Sequence, residues 1–102
     1  MIKLFSYGTL FDKDIQMREF GQHFYVEEDI DYVGGWDIIN VKMYDEYFKV
    51  AIPGESTSVI MGAIVHLPES LIPIVDKYEG KEYKRIQVKT LTGSDCIMYV
   101  KR

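Results

Sequence analysis

Two short stretches of this 102-residue chain carry residue types and spacings that could do chemistry. In Ser6-Tyr7-Gly8-Thr9-Leu10 an extended run meets a glycine, and after such a break successive backbone N–H groups can point the same way. Amide donors without partners need an acceptor, so a carboxylate or a developing oxyanion would suit the place. A plain tight turn at Gly8 accounts for the same letters. In Asp76-Lys77-Tyr78-Glu79-Gly80-Lys81-Glu82-Tyr83-Lys84-Arg85 a helix end passes through glycine into a strand. A carboxylate at Glu79 would lie near the negative end of the helix dipole, which disfavours its ionised form, and burial would raise its proton affinity further. Such a group can accept and return a proton near neutral pH. Read alone, the stretch is more simply a solvated charge run, with Asp76, Glu79 and Glu82 exchanging contacts with Lys77, Lys81 and Lys84.

The elements that must position these residues follow from pattern and punctuation. Ile2 to Tyr7 is β-like, and Asp12 is placed to cap a short helix to Phe20 that Gly21 ends. Tyr25 to Val33 reads as an acidic strand, with Gly34-Gly35 turning into a strand from Trp36 to Met43, and Tyr47 to Ile52 as a shorter one closed by Pro53-Gly54. Val59 to Leu67 is the most hydrophobic strand and the candidate for a central strand, with Gly62 marking a bend or a close backbone approach. Pro68-Glu69-Ser70 opens a second short helix whose Leu71, Val75 and Tyr78 share a face and which Gly80 stops. Glu82 to Leu91 and Cys96 to Val100 form a hairpin across Thr92-Gly93-Ser94-Asp95. Six or so short strands with two short helices predict an α+β, mostly β chain whose sheet closes, fully or in part, into a small barrel.

Composition narrows the function classes. A chain of this length is expected to be one domain, residues 1–102, since either half alone would bury too little. Apolar residues make up 47% and aromatics 14%, enough for a packed core that includes Trp36. The net charge is −4 and the cations are scattered, which argues against nucleic acid as a partner. No run reaches the ~20 apolar residues of a membrane helix, and the N-terminus lacks a signal-peptide pattern, so a soluble, cytoplasmic protein is expected. Cys96 is the only cysteine, without a basic setting, and reads as a strand residue. His23 and His66 lack a supporting ligand cluster, His66 reading as a strand-end packing residue. No phosphate loop or dinucleotide fingerprint occurs, so neither a metal nor another cofactor is expected.

Read together and in order, Tyr7-Gly8-Thr9-Leu10, Val50-Ala51-Ile52-Pro53-Gly54, Gly62, Asp76-Lys77-Tyr78-Glu79-Gly80, and then Tyr83 and Arg85, resemble the γ-glutamylcyclotransferase-like family over nearly the whole chain. The resemblance implies that family's barrel-like fold and a cofactor-independent reaction in which a γ-glutamyl amine or γ-glutamyl amino acid cyclises to 5-oxoproline and a free amine. Glu79 takes the position of the family's catalytic glutamate, Tyr7, Gly8, Thr9 and Leu10 that of its substrate-cradling loop, and Tyr83 that of a pocket residue. Arg85, on the face of Tyr83 under simple alternation, could pair with Glu79 or Glu82, and it reads as a structural residue outside the site. Lys49 departs from the pattern, standing where many relatives place a proline, which bears on the pocket rim and substrate choice. The partner implied is a small γ-glutamyl substrate or carboxylate. A domain that uses the pocket only to bind a small carboxylate, and one whose pocket is filled by its own side chains, are the alternatives.

Overall fold

Leu4 and Phe5 are chain neighbours that point to opposite sides of one strand, yet both are buried, so the sheet that holds them is covered on both faces. The computed structural model describes all 102 residues. Its elements run β1 (Ile2–Ser6), α1 (Lys13–Phe20), β2 (Asp31–Gly34), β3 (Trp36–Met43), β4 (Glu46–Pro53) and β5 (Val59–Leu67). A 3₁₀ turn (Glu69–Leu71) then leads into α2 (Ile72–Glu79), followed by β6 (Tyr83–Lys89) and β7 (Asp95–Lys101). Five strands form a sheet in the order β2-β5-β1-β7-β6, and β3 pairs with β4 as a separate two-stranded hairpin. β1 runs antiparallel to β5 and parallel to β7.

One face of the sheet, carrying Phe5, Ile60, Ile64, Met98 and Val100, packs against Ala51, Ile38 and Trp36 of the hairpin. The other, carrying Leu4, Val65, Leu67 and Ile97, packs against Phe20, Phe24, Leu71 and Val75 from the helical side. Burying each such side chain contributes roughly 1.5–3 kcal/mol relative to leaving it in water. Coverage on both faces accounts for the apolar second half of Val59–Leu67, where Ile64, Val65 and Leu67 are buried, while Val59 and Met61 stay exposed. That strand lies inside the sheet, flanked by β2 and β1, and β1 is the middle one of the five. The sheet curls until the Leu91 N–H, just past β6, donates to the Tyr32 carbonyl of β2 at 2.8 Å. The result is the partly closed, mostly β barrel with two short helices that the sequence predicts.

Local chemistry sets the element ends. Asp12 Oδ1 accepts from the Asp14 and Ile15 N–H groups at 2.8 and 3.2 Å, and Gly21 ends α1 in the left-handed region at φ 71°. Gly62 marks a close approach: a Cβ there would stand 2.5 Å from the Ser6 carbonyl oxygen and 2.8 Å from the Phe5 ring. The expected strand from Tyr25 to Val33 is broken. Glu27 N–H and Tyr25 C=O still bond to Ile64 and His66 of β5, but the chain leaves the sheet at Glu28 and Asp29 and regular pairing resumes only at Asp31. His66, one residue from the end of β5, bonds to Glu27 at 2.7 Å beneath the Tyr25 ring, and Cys96 is a buried β7 residue. No helix is long and apolar enough to cross a membrane.

Candidate active site

The end of β1, the end of α2, the start of β6 and the tip of the β3–β4 hairpin surround one open cavity of about 850 Å³. That volume lies within the range of small-molecule sites. Tyr7, Gly8, Thr9, Glu79 and Tyr83 all line it, so residues some seventy positions apart converge on one hollow. Thr9 Oγ1 and the Tyr78 hydroxyl approach to 3.5 Å, linking the loop after β1 to the last turn of α2.

The loop is held from behind. The Asp12 N–H donates to the Thr9 carbonyl at 2.9 Å, and Gln16 Nε2, fully buried on α1, donates to the Leu10 carbonyl at 2.8 Å. Gln16 Oε1 accepts from the Phe24 N–H at 2.8 Å, which ties the loop to the segment after α1. The N–H groups of Gly8, Thr9 and Leu10 donate to no backbone acceptor in the protein. The Leu10 side chain is not on the cavity wall: it is buried with Leu4, Phe24 and Val65 and anchors the loop in the core.

Tyr7 is a strut. Its hydroxyl donates to the Tyr99 carbonyl at 2.6 Å and accepts from the Ala51 N–H at 3.0 Å, joining β7, the end of β1 and β4. Burial raises its pKa well above the ordinary phenol value, the Ala51 bond offsets part of this, and nearby Tyr83 and Glu79 add to it. Tyr83 donates its hydroxyl to the Lys49 carbonyl at 3.0 Å, so it braces the hairpin rather than bonding to the Glu79 carboxylate. Burial, then Glu79 and Tyr78, push its pKa up to about 12. Both phenols stay protonated at neutral pH.

Glu79 is the last residue of α2, where the Gly80 N–H closes the helix onto the Asp76 carbonyl at 3.0 Å. The residue keeps part of its surface open to the cavity, while the crowding wall strips water from its carboxyl and raises its pKa from 4.5 to about 7. None of the protein's four ion pairs reaches it. The donors and cations nearby go instead to Asp76, three residues earlier on the same helix. Tyr99 donates its hydroxyl to Asp76 Oδ1 at 2.6 Å, and Arg85 Nη1 lies 3.6 Å from Asp76 Oδ2, so Arg85 pairs with neither Glu79 nor Glu82. One helical turn therefore carries a satisfied carboxylate and an unsatisfied one.

Sequence reasoning passed over Gln16, gave Tyr99 no role and gave Asp76 only surface contacts. A glutamine in a short, otherwise polar helix gives no signal of burial. The division of labour between Asp76 and Glu79 depends on where β6 and β7 lie. The hairpin tip, which supplies Met43, Tyr47 and Phe48 to the wall, read only as strand. No group of three or more His, Cys, Asp or Glu side chains is arranged to hold a metal ion.

A family model described as gamma-glutamyl cyclotransferase, AIG2-like matches residues 4–102. Among solved structures, two Arabidopsis thaliana proteins superpose with TM-scores of 0.79 and 0.80 at 14% and 16% identity. Each alignment covers 98% of this chain, against 61% and 68% of theirs. A protein described as gamma-glutamyl cyclotransferase superposes with a TM-score of 0.72 at 15% identity, over 99% of this chain and 66% of the other. The chain thus spans less than two thirds of the first of these, and at such identities the superpositions speak for the fold. No curated protein matches the chain in sequence.

Proposed function

The chain belongs to the gamma-glutamyl cyclotransferase, AIG2-like family, and from that membership we propose that it cyclises a γ-glutamyl amine or γ-glutamyl amino acid to 5-oxoproline and a free amine, with Glu79 moving the protons. The observation that carries this reading is an unpaired carboxyl, raised to about 7 by loss of water, in the same cavity as a loop with free amide donors.

The reaction asks little of the protein. The nucleophile is the substrate's own α-nitrogen and the electrophile its own γ-carbonyl carbon, so holding the chain folded supplies the main effect, worth about 7–11 kcal/mol in well-oriented intramolecular reactions. The ionised Glu79 takes a proton from the α-ammonium, and the freed amine attacks the γ-carbonyl. The bond from that carbon to the departing nitrogen then breaks as Glu79 returns the proton to it. Overall the α-nitrogen gives up two protons and the departing nitrogen gains two, so water is not consumed. A group with a pKa of about 7 is half in each form at neutral pH and can serve both steps. In this reading the Gly8, Thr9 and Leu10 amides hold the α-carboxylate, and Tyr7 and Tyr83 keep the walls in place.

The test is release of 5-oxoproline from a panel of γ-glutamyl compounds by the wild type and by Glu79→Gln. Release by the wild type alone supports the reading. Equal inertness across the panel leaves the alternative, a pocket that binds a small carboxylate without turnover, and calorimetry with 5-oxoproline distinguishes it.

A further inference from the structure

The cavity lining is of two chemical kinds. Glu79, Gly8 and Thr9 supply polar groups, and the tip of the β3–β4 hairpin supplies Met43, Tyr44, Tyr47 and Phe48. Tyr44 and Tyr47 are 83% and 72% exposed and Phe48 36%, so the chain keeps aromatic surface in water at the cavity rim. Exposed aromatic side chains beside a cavity can contact an apolar ligand that enters it. A γ-glutamyl group alone is much too small to fill 850 Å³. With its α-carboxylate and α-nitrogen held by the loop and Glu79, the departing amine is the part of the substrate left to meet the hairpin.

The tip is also held at a fixed height over the cavity. Tyr83 holds the Lys49 carbonyl and Tyr7 the Ala51 N–H, both on β4 just behind the tip. The turn itself is tight, with Tyr44 and Asp45 both in the left-handed region at φ 51° and 65°. The site's own tyrosines therefore set where the aromatic rim stands relative to Glu79.

We infer that the β3–β4 hairpin tip is the specificity element for the departing amine and selects γ-glutamyl conjugates of amines with an apolar or aromatic body over those of small amines or small amino acids. This rests on the cyclotransferase reading of Glu79 and deepens it. Lys49 is the cation on this part of the wall, and recognition of an amino-acid carboxylate would fall to it. The four apolar and aromatic neighbours outweigh it.

The experiment separates binding from turnover. Dissociation constants for the γ-glutamyl conjugates of phenethylamine, methylamine and glycine are measured by calorimetry on Glu79→Gln, which keeps the pocket, and 5-oxoproline release from the same three is measured on the wild type. The inference predicts that the phenethylamine conjugate binds at least about tenfold tighter than the other two, the scale of a well-filled apolar subsite. Phe48→Ala and Tyr47→Ala, placed in the same background, are expected to shrink that ratio severalfold, and Lys49→Ala to leave it in place. Equal binding of all three conjugates overturns the inference, as does tighter binding of the glycine conjugate that is lost in Lys49→Ala. Absence of 5-oxoproline from every conjugate, with the binding ratio intact, counts against the cyclotransferase reading while the selectivity of the hairpin stands.

Discussion

Replacing Glu79 by glutamine is expected to stabilise the protein above neutral pH and to leave it nearly unchanged in acid. The cavity wall lifts the carboxyl from its ordinary 4.5 to about 7, and a shift of that size corresponds to about 3 kcal/mol of cost for the ionised form. Water reaching the open cavity lowers this, so about 1–3 kcal/mol is the working range. Below the ordinary carboxylate value both folded and unfolded chains are protonated and no penalty exists. Between 4.5 and about 7 the unfolded chain releases its proton first, so wild-type stability falls as pH rises. Above about 7 the full penalty is in place. Glutamine has a similar shape and no charge, so Glu79→Gln escapes it. In a domain of this size each kcal/mol moves the melting temperature by about 4–8 °C. Thermal unfolding followed by circular dichroism should give coincident curves near about pH 4 and a variant that melts about 4–24 °C higher near about pH 8.5. Contributions from distant ionisable groups cancel in the difference. An offset that does not change with pH, or a variant less stable in alkali, would refute the claim that the carboxyl is held in a desolvated, unpaired state.

Other consequences follow from the same contacts. The rate of 5-oxoproline release at low substrate should rise with pH through about 7 as Glu79 ionises; a profile flat across that range would mean that another group moves the proton. Gln16→Leu strands the Leu10 carbonyl and the Phe24 N–H in the core, so chemical denaturation should show a loss of about 2–4 kcal/mol, together with faster hydrogen exchange in residues 8–12. Gly62→Ala forces a methyl against the Ser6 carbonyl and the Phe5 ring and is expected to cost about 2 kcal/mol or more by denaturation, with weakened 5-oxoproline binding because Ser6 leads directly into Tyr7. Asp31 is buried at the start of β2. Burial works against its ionised form, but the Thr92 and Thr90 hydroxyls and the Tyr32 and Thr92 N–H groups outweigh this and hold its pKa below the ordinary value. Asp31→Ala should therefore lose about 1–3 kcal/mol at neutral pH and progressively less as acid protonates the wild-type carboxyl.

Much of this was legible in the chain because it rests on local rules. Asp12 and Gly21 bound α1 through capping and a left-handed glycine, and Gly80 stops α2 so that Glu79 falls in its final turn. The apolar run of Val59–Leu67 marks an interior strand, buried on both sides at Ile64 and Val65, while Val59 and Met61 near its start stay exposed. What the sequence could not display depends on which strands lie beside which. Arg85 and Tyr99 find Asp76 rather than Glu79 because β6 and β7 pair under the middle of α2. Tyr83 finds a hairpin carbonyl because β4 crosses the cavity. Val26 does bridge to Val65, so the strand expected from Tyr25 exists in part; its interruption reflects the preference of Glu28 and Asp29 for water over sheet pairing. Leu10 shares a motif with Gly8 and Thr9, yet its side chain serves the core while its neighbours serve the cavity.

The account depends on the carboxyl of Glu79 and the amides after Tyr7 acting on a single molecule. A crystal structure with bound 5-oxoproline tests this most directly. The account predicts the carboxylate of the ring against the Gly8, Thr9 and Leu10 N–H groups and the lactam nitrogen within hydrogen-bond distance of Glu79. A ring bound elsewhere, or seated in the cavity with Glu79 turned away from it, would contradict it.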